Sequence, residues 1–488
     1  MSTAVTPSSG ADTNAGSGTS KGAPKSAIIF TSLALFSMFF GAGNLIFPPM
    51  LAVQSGENFW PAILGFLTTG ALLPVLAVVA IALSGANVRD LAQRAGTFFG
   101  IIFPILAYLS IGAFYALPRT SAVSFDVAMT PVFGWDGTME RALFNLVFFG
   151  IALALSWNPT TITDTLGKFL TPALVLLLII MIGTALFTMT NQGYTANETY
   201  ATNAYAAGVL EGYLTMDSIA ALAFSIVVIS SLRHKGVGEG KPIVRGTMIA
   251  GLGAGIMLAL MYIGLGIIGR SMPDATTYDS GAPLLADAAL TMMNKPGQII
   301  FALVVLLACM TTAVGLITAT AEYFSEQFFG SYRVWAIIFA VASAVMATQG
   351  LEFVMMVAAP VIVFIYPPAI ALVALTLIEP LFRSRTRLRW GFFVPIWVAV
   401  IWSAIATPIS LAGDYKIFEW STALAPIVDW APLHEQSLGW ILPTFIAFLV
   451  GLVIDLLNPT TTAELEDKGL QSNHADDAVA PAEAKATI

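Results

Sequence analysis

The chain is poor in charged residues and in cysteine. Only 10% of its 488 residues are Asp, Glu, Lys or Arg, whereas 57% are hydrophobic; an average soluble domain has about 25% charged residues. So few charges do not cover the surface of a soluble protein of this length, and 21 basic against 29 acidic residues give no basic face for nucleic acid. The single cysteine, Cys309, excludes a disulfide framework and any multi-cysteine metal site. The composition therefore predicts a polytopic membrane protein.

The apolar residues are gathered in long runs. A helix crosses the hydrocarbon layer of a membrane with about 20 apolar residues. Twelve segments are candidates, of which the fourth and the ninth are short: 27–54, 59–84, 98–124, 141–157, 169–189, 212–232, 243–269, 298–320, 333–348, 351–378, 392–412 and 438–457. The sequence thus predicts an all-α transmembrane domain over residues 26–457 with about twelve helices.

The two ends of the chain are polar. Residues 1–25 and 458–488 are predicted to be disordered tails, the second of them acidic. Cytoplasmic loops of membrane proteins collect Lys and Arg. With the N-terminus inside, sixteen of the 21 Lys and Arg fall on the inner side, and the other five lie outward or within a span: Arg119, Arg141, Arg270, Lys295 and Lys416. We therefore expect a multi-pass protein with both tails in the cytoplasm.

The first span contains residues that interrupt a helix. Gly41-Ala42-Gly43-Asn44 lies in its middle and Pro48-Pro49 follows. Glycine weakens a helix, and proline removes a backbone donor. A break at membrane depth exposes a half-helix N-terminus, which attracts an anion, and is typical of transporter binding sites. The alternative is a packing kink with small residues at a helix interface.

Two further spans carry polar residues at depth. The sixth contains ALAFSI (221–226), which echoes LALFSM (33–38) of the first, and the spacing suggests two five-helix repeats followed by two extra helices. The eighth contains the pair Thr311-Thr312. Hydroxyl and carbonyl oxygens are the ligands that a hard cation prefers. The alternative is that each threonine bonds back to its own helix.

Five strings in the sequence are long and distinctive: FSMFFGAGNLIFPP (36–49), YALPRTSAVSFD (115–126), TITDTLGKFLTP (161–172), GYLTMDSIAALAFSIVVIS (212–230) and ACMTTAVGL (308–316). Together they resemble the branched-chain amino acid:cation symporter family, the bacterial transport system II carriers for leucine, isoleucine and valine. The resemblance covers residues 26–457. One departure is Asp126, where glutamate is common in the family.

The resemblance implies a LeuT-type fold, a 5+5 inverted repeat plus two extra helices in which helices 1 and 6 are discontinuous. The substrate site then lies between the breaks, beside helices 3 and 8. Gly41, Ala42 and Gly43 would bind the substrate carboxylate through backbone amides, and Asn44 would bind substrate or cation. Freed carbonyls around Phe224, Ser225 and Ile226 would accept the ammonium, with Tyr115 as an outer wall.

The resemblance also implies a cation site between helices 1 and 8. Its ligands would be the carbonyls of Ser37, Phe40 and Ala308 and the hydroxyls of Thr311 and Thr312, and five neutral oxygens suit Na⁺. Some proton-driven relatives of the fold replace the ion by a lysine on helix 5, and the predicted fifth span, 169–189, has none. The expectation is Na⁺ as coupling ion with no other cofactor. The alternative is a proton-coupled carrier of the same fold for another neutral amino acid.

Ionisable residues within the spans are few, and each is a functional hypothesis. Arg119 is predicted to gate the outer path together with Asp217; the alternative is a snorkelling anchor at the interface. A channel would need a continuous polar lining, and a membrane enzyme would need clustered His, Cys or acidic residues at depth; neither pattern is present. These absences favour a carrier. The resemblance implies an importer of leucine, isoleucine and valine in a bacterial cell membrane, in contact with lipid, driven by Na⁺ through alternating access.

Overall fold

A computed structural model describes residues 24–84, 88–238, 240–278, 280–382, 385–415, 418–434, 438–459, 461–467 and 470. This part of the chain consists of helices and connecting turns, with no strand. Each of the twelve predicted segments overlaps helical residues, although several ends differ, and the helices are numbered here after those segments.

The first six helices are mostly built from two or more pieces. Helix 1 comprises Lys25–Phe39 (1a) and Ala42–Ser55 (1b), helix 2 Phe59–Leu67 and Leu73–Ser84, helix 3 Thr97–Leu109, Ala116–Ser124 and Thr130–Phe133, helix 4 Thr138–Leu155, helix 5 Ile162–Thr165 and Thr171–Thr188, and helix 6 Glu198–Tyr213 (6a) and Asp217–His234 (6b). Wide π-type turns join the pieces of helices 2, 3 and 5: Thr68–Leu72, Ser110–Phe114, Phe125–Met129 and Leu166–Leu170.

Helices 7 to 12 follow in order: Lys241–Ser271, Gly281–Gln327, Tyr332–Thr348, Leu351–Ile378, Trp390–Tyr415 and Ile441–Leu457. Helix 8 is kinked at Asn294, whose φ is 55°. Within the described residues, nine helical runs are long and apolar enough to cross a membrane, and ten if helix 9 is joined to the start of helix 10 across a bend of 116°. This count treats 1b and helix 2 as one run, and helices 1a and 12 are apolar but shorter.

The C-terminal tail differs from its prediction. Residues Thr462–Asp467 form a short helix inside the segment 458–488, for which disorder was expected. Thr461 and Glu464 cap it reciprocally, because the Thr461 N–H donates to Oε2 of Glu464 at 2.9 Å and the Glu464 N–H donates to the Thr461 hydroxyl. Leu465 is buried, which adds a packing contact that composition does not reveal. Residues 1–23 and 471–488 lie outside the described residues.

The centre of the bundle forms where small residues let helices approach closely. Helix 1a packs against helices 5, 6b, 7 and 8. Helix 6a packs on helix 2, where a β-carbon at Gly65 or Gly208 would meet backbone atoms of the other helix. Membrane helices associate through such small residues, because lipid gives no hydrophobic drive for their contact. These contacts hold both broken helices side by side.

Candidate functional site

Helix 1 is interrupted at Phe40 and Gly41, where the sequence predicts the break. The Phe40 N–H closes helix 1a by donating to the carbonyl of Phe36 at 2.8 Å. The Gly41 N–H donates to Oδ1 of Asn44 at 3.2 Å, so Asn44 caps the start of helix 1b. The first amides of helix 1b, those of Ala42 and Gly43, have no acceptor within their own helix. The break therefore presents backbone donors and a positive helix end to the interior of the bundle.

Helix 6 is interrupted at residues 214–216, where Met216 has a φ of 65°. The prediction that the backbone unwinds around Phe224, Ser225 and Ile226 is wrong, since all three lie inside helix 6b and the Ser225 hydroxyl donates to the carbonyl of Ala221 at 2.6 Å. The physical reason is local. The run 219–229 has no glycine or proline, whereas Asp217 at the start of 6b is the acidic residue that a helix N-terminus favours.

Helix 3 bends inward at Tyr115. The π-type turn Ser110–Phe114 ends there, and Tyr115 has non-helical angles of −139° and −75°. Pro118 explains the position, because it has no N–H for the carbonyl of Phe114 and its ring crowds that carbonyl. Regular bonding resumes when the Arg119 N–H donates to the carbonyl of Tyr115 at 2.9 Å.

A cavity lies between these three irregular points. Its volume is about 60 Å³. One water molecule needs about 10–15 Å³, so the space suits a small solute. Helices 1, 3, 6 and 8 contribute its lining, in agreement with the resemblance. The lining includes Phe39, Gly41, Gly43, Asn44, Ile111, Tyr115, Arg119, Thr215, Asp217, Ile219, Phe224, Thr312 and Leu316. Ser225 and Ile226 are buried in helix 6b outside this lining.

A buried polar triad lies at the wall of the cavity. Nδ2 of Asn44 donates to Oδ2 of Asp217 at 2.5 Å and also to the hydroxyl of Tyr262. The Tyr262 hydroxyl donates to the same Asp217 oxygen at 3.0 Å. All three side chains are buried, and they join helices 1b, 6b and 7. Asn44, predicted to bind substrate or cation, therefore uses its amide to hold Asp217.

Arg119 and Asp217, the predicted gate, line the same cavity. Nη1 of Arg119 donates to the Tyr115 hydroxyl at 2.5 Å, and its guanidinium lies over the Tyr115 ring. A β-carbon added to Gly43 would lie 3.1 Å from Nη2 of Arg119, so the guanidinium lies close to the first turn of helix 1b. The hydrogen bonds of both charged residues lead to neutral groups, and a direct gate pair stays a prediction.

Four of the five predicted cation ligands come together between helices 1a and 8. The Thr311 hydroxyl donates to the carbonyl of Ser37 at 2.8 Å and to that of Ala308 at 3.0 Å. The Thr312 hydroxyl donates to the Ser37 carbonyl at 3.4 Å. Phe40, the fifth, lies in the break itself. No group of three or more His, Cys, Asp or Glu in the described residues offers an alternative metal site.

Helix 5 begins earlier than predicted and so includes a lysine. The fifth span was expected at 169–189, but the helix starts at Ile162 and contains Lys168. Nζ of Lys168 donates to Asp164 at 2.8 Å and lies over the ring of Phe30. Phe30 is two helical turns before Ser37, so this lysine stays away from the threonine pair.

Sequence reasoning missed Tyr262, Thr215 and Met216. A tyrosine in an apolar span gives no signal of a carboxylate 45 residues away. The segment GYLTMD (212–217) does carry a signal, because glycine and threonine followed by an acidic residue are typical of one helix ending and another beginning.

The chain matches known proteins over almost all of this architecture. Residues 24–458 match the family model for branched-chain amino acid transport proteins. The chain is 50% identical over 432 residues to the branched-chain amino acid permease BrnQ of Corynebacterium glutamicum, covering 88% of this chain and 96% of that protein. It is 37% identical to the branched-chain amino acid transport system 2 carrier protein of Pseudomonas aeruginosa, covering 86% of this chain and 94% of that protein.

Two solved transporters share its fold. Mhp1, a nucleobase-cation-symport-1 family transporter, superposes with a TM-score of 0.57 at 14% identity over 92% of this chain and 95% of Mhp1. MhsT in complex with L-phenylalanine superposes with a TM-score of 0.52 at 17% identity, over 87% of this chain and 98% of MhsT. These likenesses confirm the predicted all-α, LeuT-type fold, and the names of the relatives agree with a transporter rather than an enzyme. The chain belongs to the branched-chain amino acid transport protein family, as a multi-pass membrane protein.

Proposed function

We propose that the protein imports leucine, isoleucine and valine across a bacterial cell membrane, coupled to Na⁺ by alternating access. The observation that carries the proposal is the threonine pair of helix 8 on the carbonyl of Ser37, directly at the break that lines the cavity. A transporter of this kind needs a substrate site and an ion site that share a movable element. Helix 1 would be this element, since it contributes residues to both proposed sites.

The cavity suits a small apolar amino acid. Phe39, Phe224, Ile111, Ile219 and Leu316 supply apolar surface for the side chain. One methylene in an apolar pocket changes binding by about 1–3 kcal/mol. Discrimination among the three branched substrates is therefore weak, and we expect them to compete for one site. Their carboxylate would meet the amides of helix 1b.

Na⁺ would be held by neutral oxygens: the carbonyls of Ser37, Phe40 and Ala308 and the hydroxyls of Thr311 and Thr312. An ion there would tie helix 1a to helix 8 and so favour one orientation of helix 1. If that orientation also binds substrate better, the two affinities are coupled, and each ligand strengthens the other by the same factor.

Proton coupling is a second candidate, because one buried carboxylate, Asp217, lines the cavity. Intramembrane carboxylates are the usual carriers of coupling protons. The absence of a lysine beside the threonine pair in the described residues supports Na⁺ instead, since Lys168 is bonded to Asp164 on another part of helix 5.

Uptake of radiolabelled leucine into membrane vesicles, with an imposed Na⁺ or H⁺ gradient, separates the two. We expect a Na⁺ gradient to drive uptake and the Thr311→Ala, Thr312→Ala double variant to abolish the sodium dependence. The matched control is Thr318→Ala with Thr320→Ala, because both hydroxyls donate to carbonyls of their own helix at 2.6–3.1 Å and neither bonds to helix 1. The Thr318 hydroxyl also accepts from the Tyr332 hydroxyl at 3.5 Å. Uptake driven by protons alone would favour the second candidate, and a double variant with unchanged sodium dependence would refute the ion site.

A further inference from the structure

Two opposite charges face one small cavity in the middle of the bundle. Among the described residues that line it, Arg119 and Asp217 are the charged ones. An amino acid carries the same two charges, one at each end of its backbone. This arrangement deepens the proposed function, on which it rests, because it bears on how the substrate is oriented.

Asp217 has the surroundings of a cation-binding carboxylate. Its side chain is 4% exposed, and one of its oxygens, Oδ2, accepts from Asn44 and Tyr262. A carboxylate has two oxygens and about four acceptor positions. Neutral donors therefore fix the orientation of the carboxylate without neutralising its charge, and a buried charge is costly unless a group of opposite charge compensates it.

Arg119 has the matching surroundings for an anion. Its Nη1 donates to the Tyr115 hydroxyl, while Nη2 lies beside Gly43 at the start of helix 1b. A guanidinium has five N–H donors, of which this bond uses one. Arg119 and Gly43 both line the cavity, so a carboxylate placed there would be bound by the guanidinium and by the N-terminal end of helix 1b together.

Other charged pairs of the bundle are satisfied internally. Arg141 and Asp126 form an ion pair at 3.0 Å, and Arg94 and Glu379 form one at 2.5 Å. These pairs lie outside the cavity lining. In contrast, the hydrogen bonds of Arg119 and Asp217 go to neutral groups, which leaves both charges available to a dipolar ligand in the cavity.

We propose that Asp217 binds the substrate ammonium and that Arg119, with the amides of helix 1b, binds the substrate carboxylate. The branched side chain then points toward Phe39 and Phe224, away from both charges. The two residues select for a free α-amino acid, whereas the apolar wall selects only for side-chain size. The Asn44 and Tyr262 donors act as positioning groups for Asp217.

The test is equilibrium binding of radiolabelled leucine to the purified full chain, with competing analogues that lack one charge. Leucinol lacks the carboxylate and 4-methylpentanoate lacks the amine. In the wild type both compete poorly. Asp217→Asn is expected to weaken leucine binding by about tenfold or more, since a hydrogen bond to a charged group is lost, while the binding of 4-methylpentanoate is unchanged or improved. Arg119→Gln is likewise expected to weaken leucine binding, while the binding of leucinol, which lacks the carboxylate, is unchanged or improved.

Asp126→Asn and Arg141→Gln are matched controls, because they remove the same charges outside the cavity. They are expected to leave unchanged the affinities of leucinol and of 4-methylpentanoate relative to that of leucine. Asp217→Glu keeps the charge and is expected to keep the discrimination against 4-methylpentanoate, even if Asp217→Asn fails to fold. A wild-type protein that does not bind leucine refutes the proposed function. The inference alone is overturned if the wild type binds leucine normally and if Arg119→Gln and folded Asp217→Asn leave the affinities of both analogues, relative to leucine, unchanged. The two residues would then remain candidates for a gate.

Discussion

At Gly41 the backbone of the helix 1 break passes directly against helix 8. A β-carbon at this position would lie 2.9 Å from Oγ1 of Thr312, closer than such atoms approach in proteins, and 3.4 Å from its Cγ2. A threonine side chain is short and stiff, so it has to rotate or shift to make room. Gly41→Ala is therefore expected to displace a proposed sodium ligand. Sodium-dependent leucine uptake measures this as a several-fold rise in the half-saturating Na⁺ concentration.

Gly150→Ala is the control for this substitution, because helix 4 offers open space there, with no atom within 4 Å of the added carbon. It is expected to leave the sodium dependence unchanged. If Gly41→Ala folds and keeps the wild-type half-saturating concentration, Thr312 does not bind the ion.

Single residues were predictable where their chemistry is local. Gly41 predicts the break in helix 1, whereas Pro48 and Pro49 lie inside helix 1b without interrupting it. The adjacent threonines predict oxygen ligands at depth, and that stays a prediction. Asn44 shows the limit of this reasoning. Its type suggests a ligand, but its use depends on Asp217 and Tyr262, which the fold brings to it from helices 6b and 7. No pattern within helix 1 contains that information.

At the scale of the element, the bend of helix 3 follows from Pro118. Pro118→Ala would restore the N–H that the carbonyl of Phe114 lacks, and a proline inside a helix costs about 3 kcal/mol. We expect the variant to be more stable to heat in detergent. We also expect it to bind leucine about tenfold more weakly. Closing the wide turn removes about one residue from it, which rotates Tyr115 by about 100° around the helix axis and away from the cavity.

Pro104→Ala is the control in the same helix. Pro104 lies within the regular segment Thr97–Leu109, so its replacement is expected to raise thermal stability without changing leucine affinity. Wild-type leucine binding by Pro118→Ala would show that the bend does not position Tyr115 for the substrate.

The approximate positions of the helices were predictable from apolar run length, whereas the starts of helices 5 and 6 and the position of the second break were not. The echo of LALFSM in ALAFSI suggests a repeat, and the resemblance implies an unwound segment around Phe224, Ser225 and Ile226. The helix is instead interrupted at residues 214–216, where a left-handed Met216 precedes Asp217. A repeat in sequence reports shared ancestry of the halves, but the interruption depends on local helix-ending and helix-starting residues, and these differ between helices 1 and 6.

For the whole molecule, the scarcity of charge takes on a mechanistic meaning. A transport core that is nearly neutral still holds Arg119 and Asp217 at its cavity, and buried charges in a membrane are costly enough to be kept for a function. The fold class was predictable because length, apolar runs and long motifs all agree. The arrangement of the cavity was not, because it joins four helices that are remote in sequence.

The orientation of the molecule in the membrane is predicted by its positive residues, which place both termini in the cytoplasm. The single cysteine makes this testable: Cys309 is buried, and a Cys309→Ser background leaves no native thiol. Asp136→Cys and His234→Cys place one thiol each in an exposed turn, after helix 3 and at the end of helix 6b. A membrane-impermeant maleimide added to intact cells is expected to label the first variant and not the second. Permeabilised cells are expected to label both, because both positions are exposed. The reverse pattern in intact cells would invert the topology and place both termini outside.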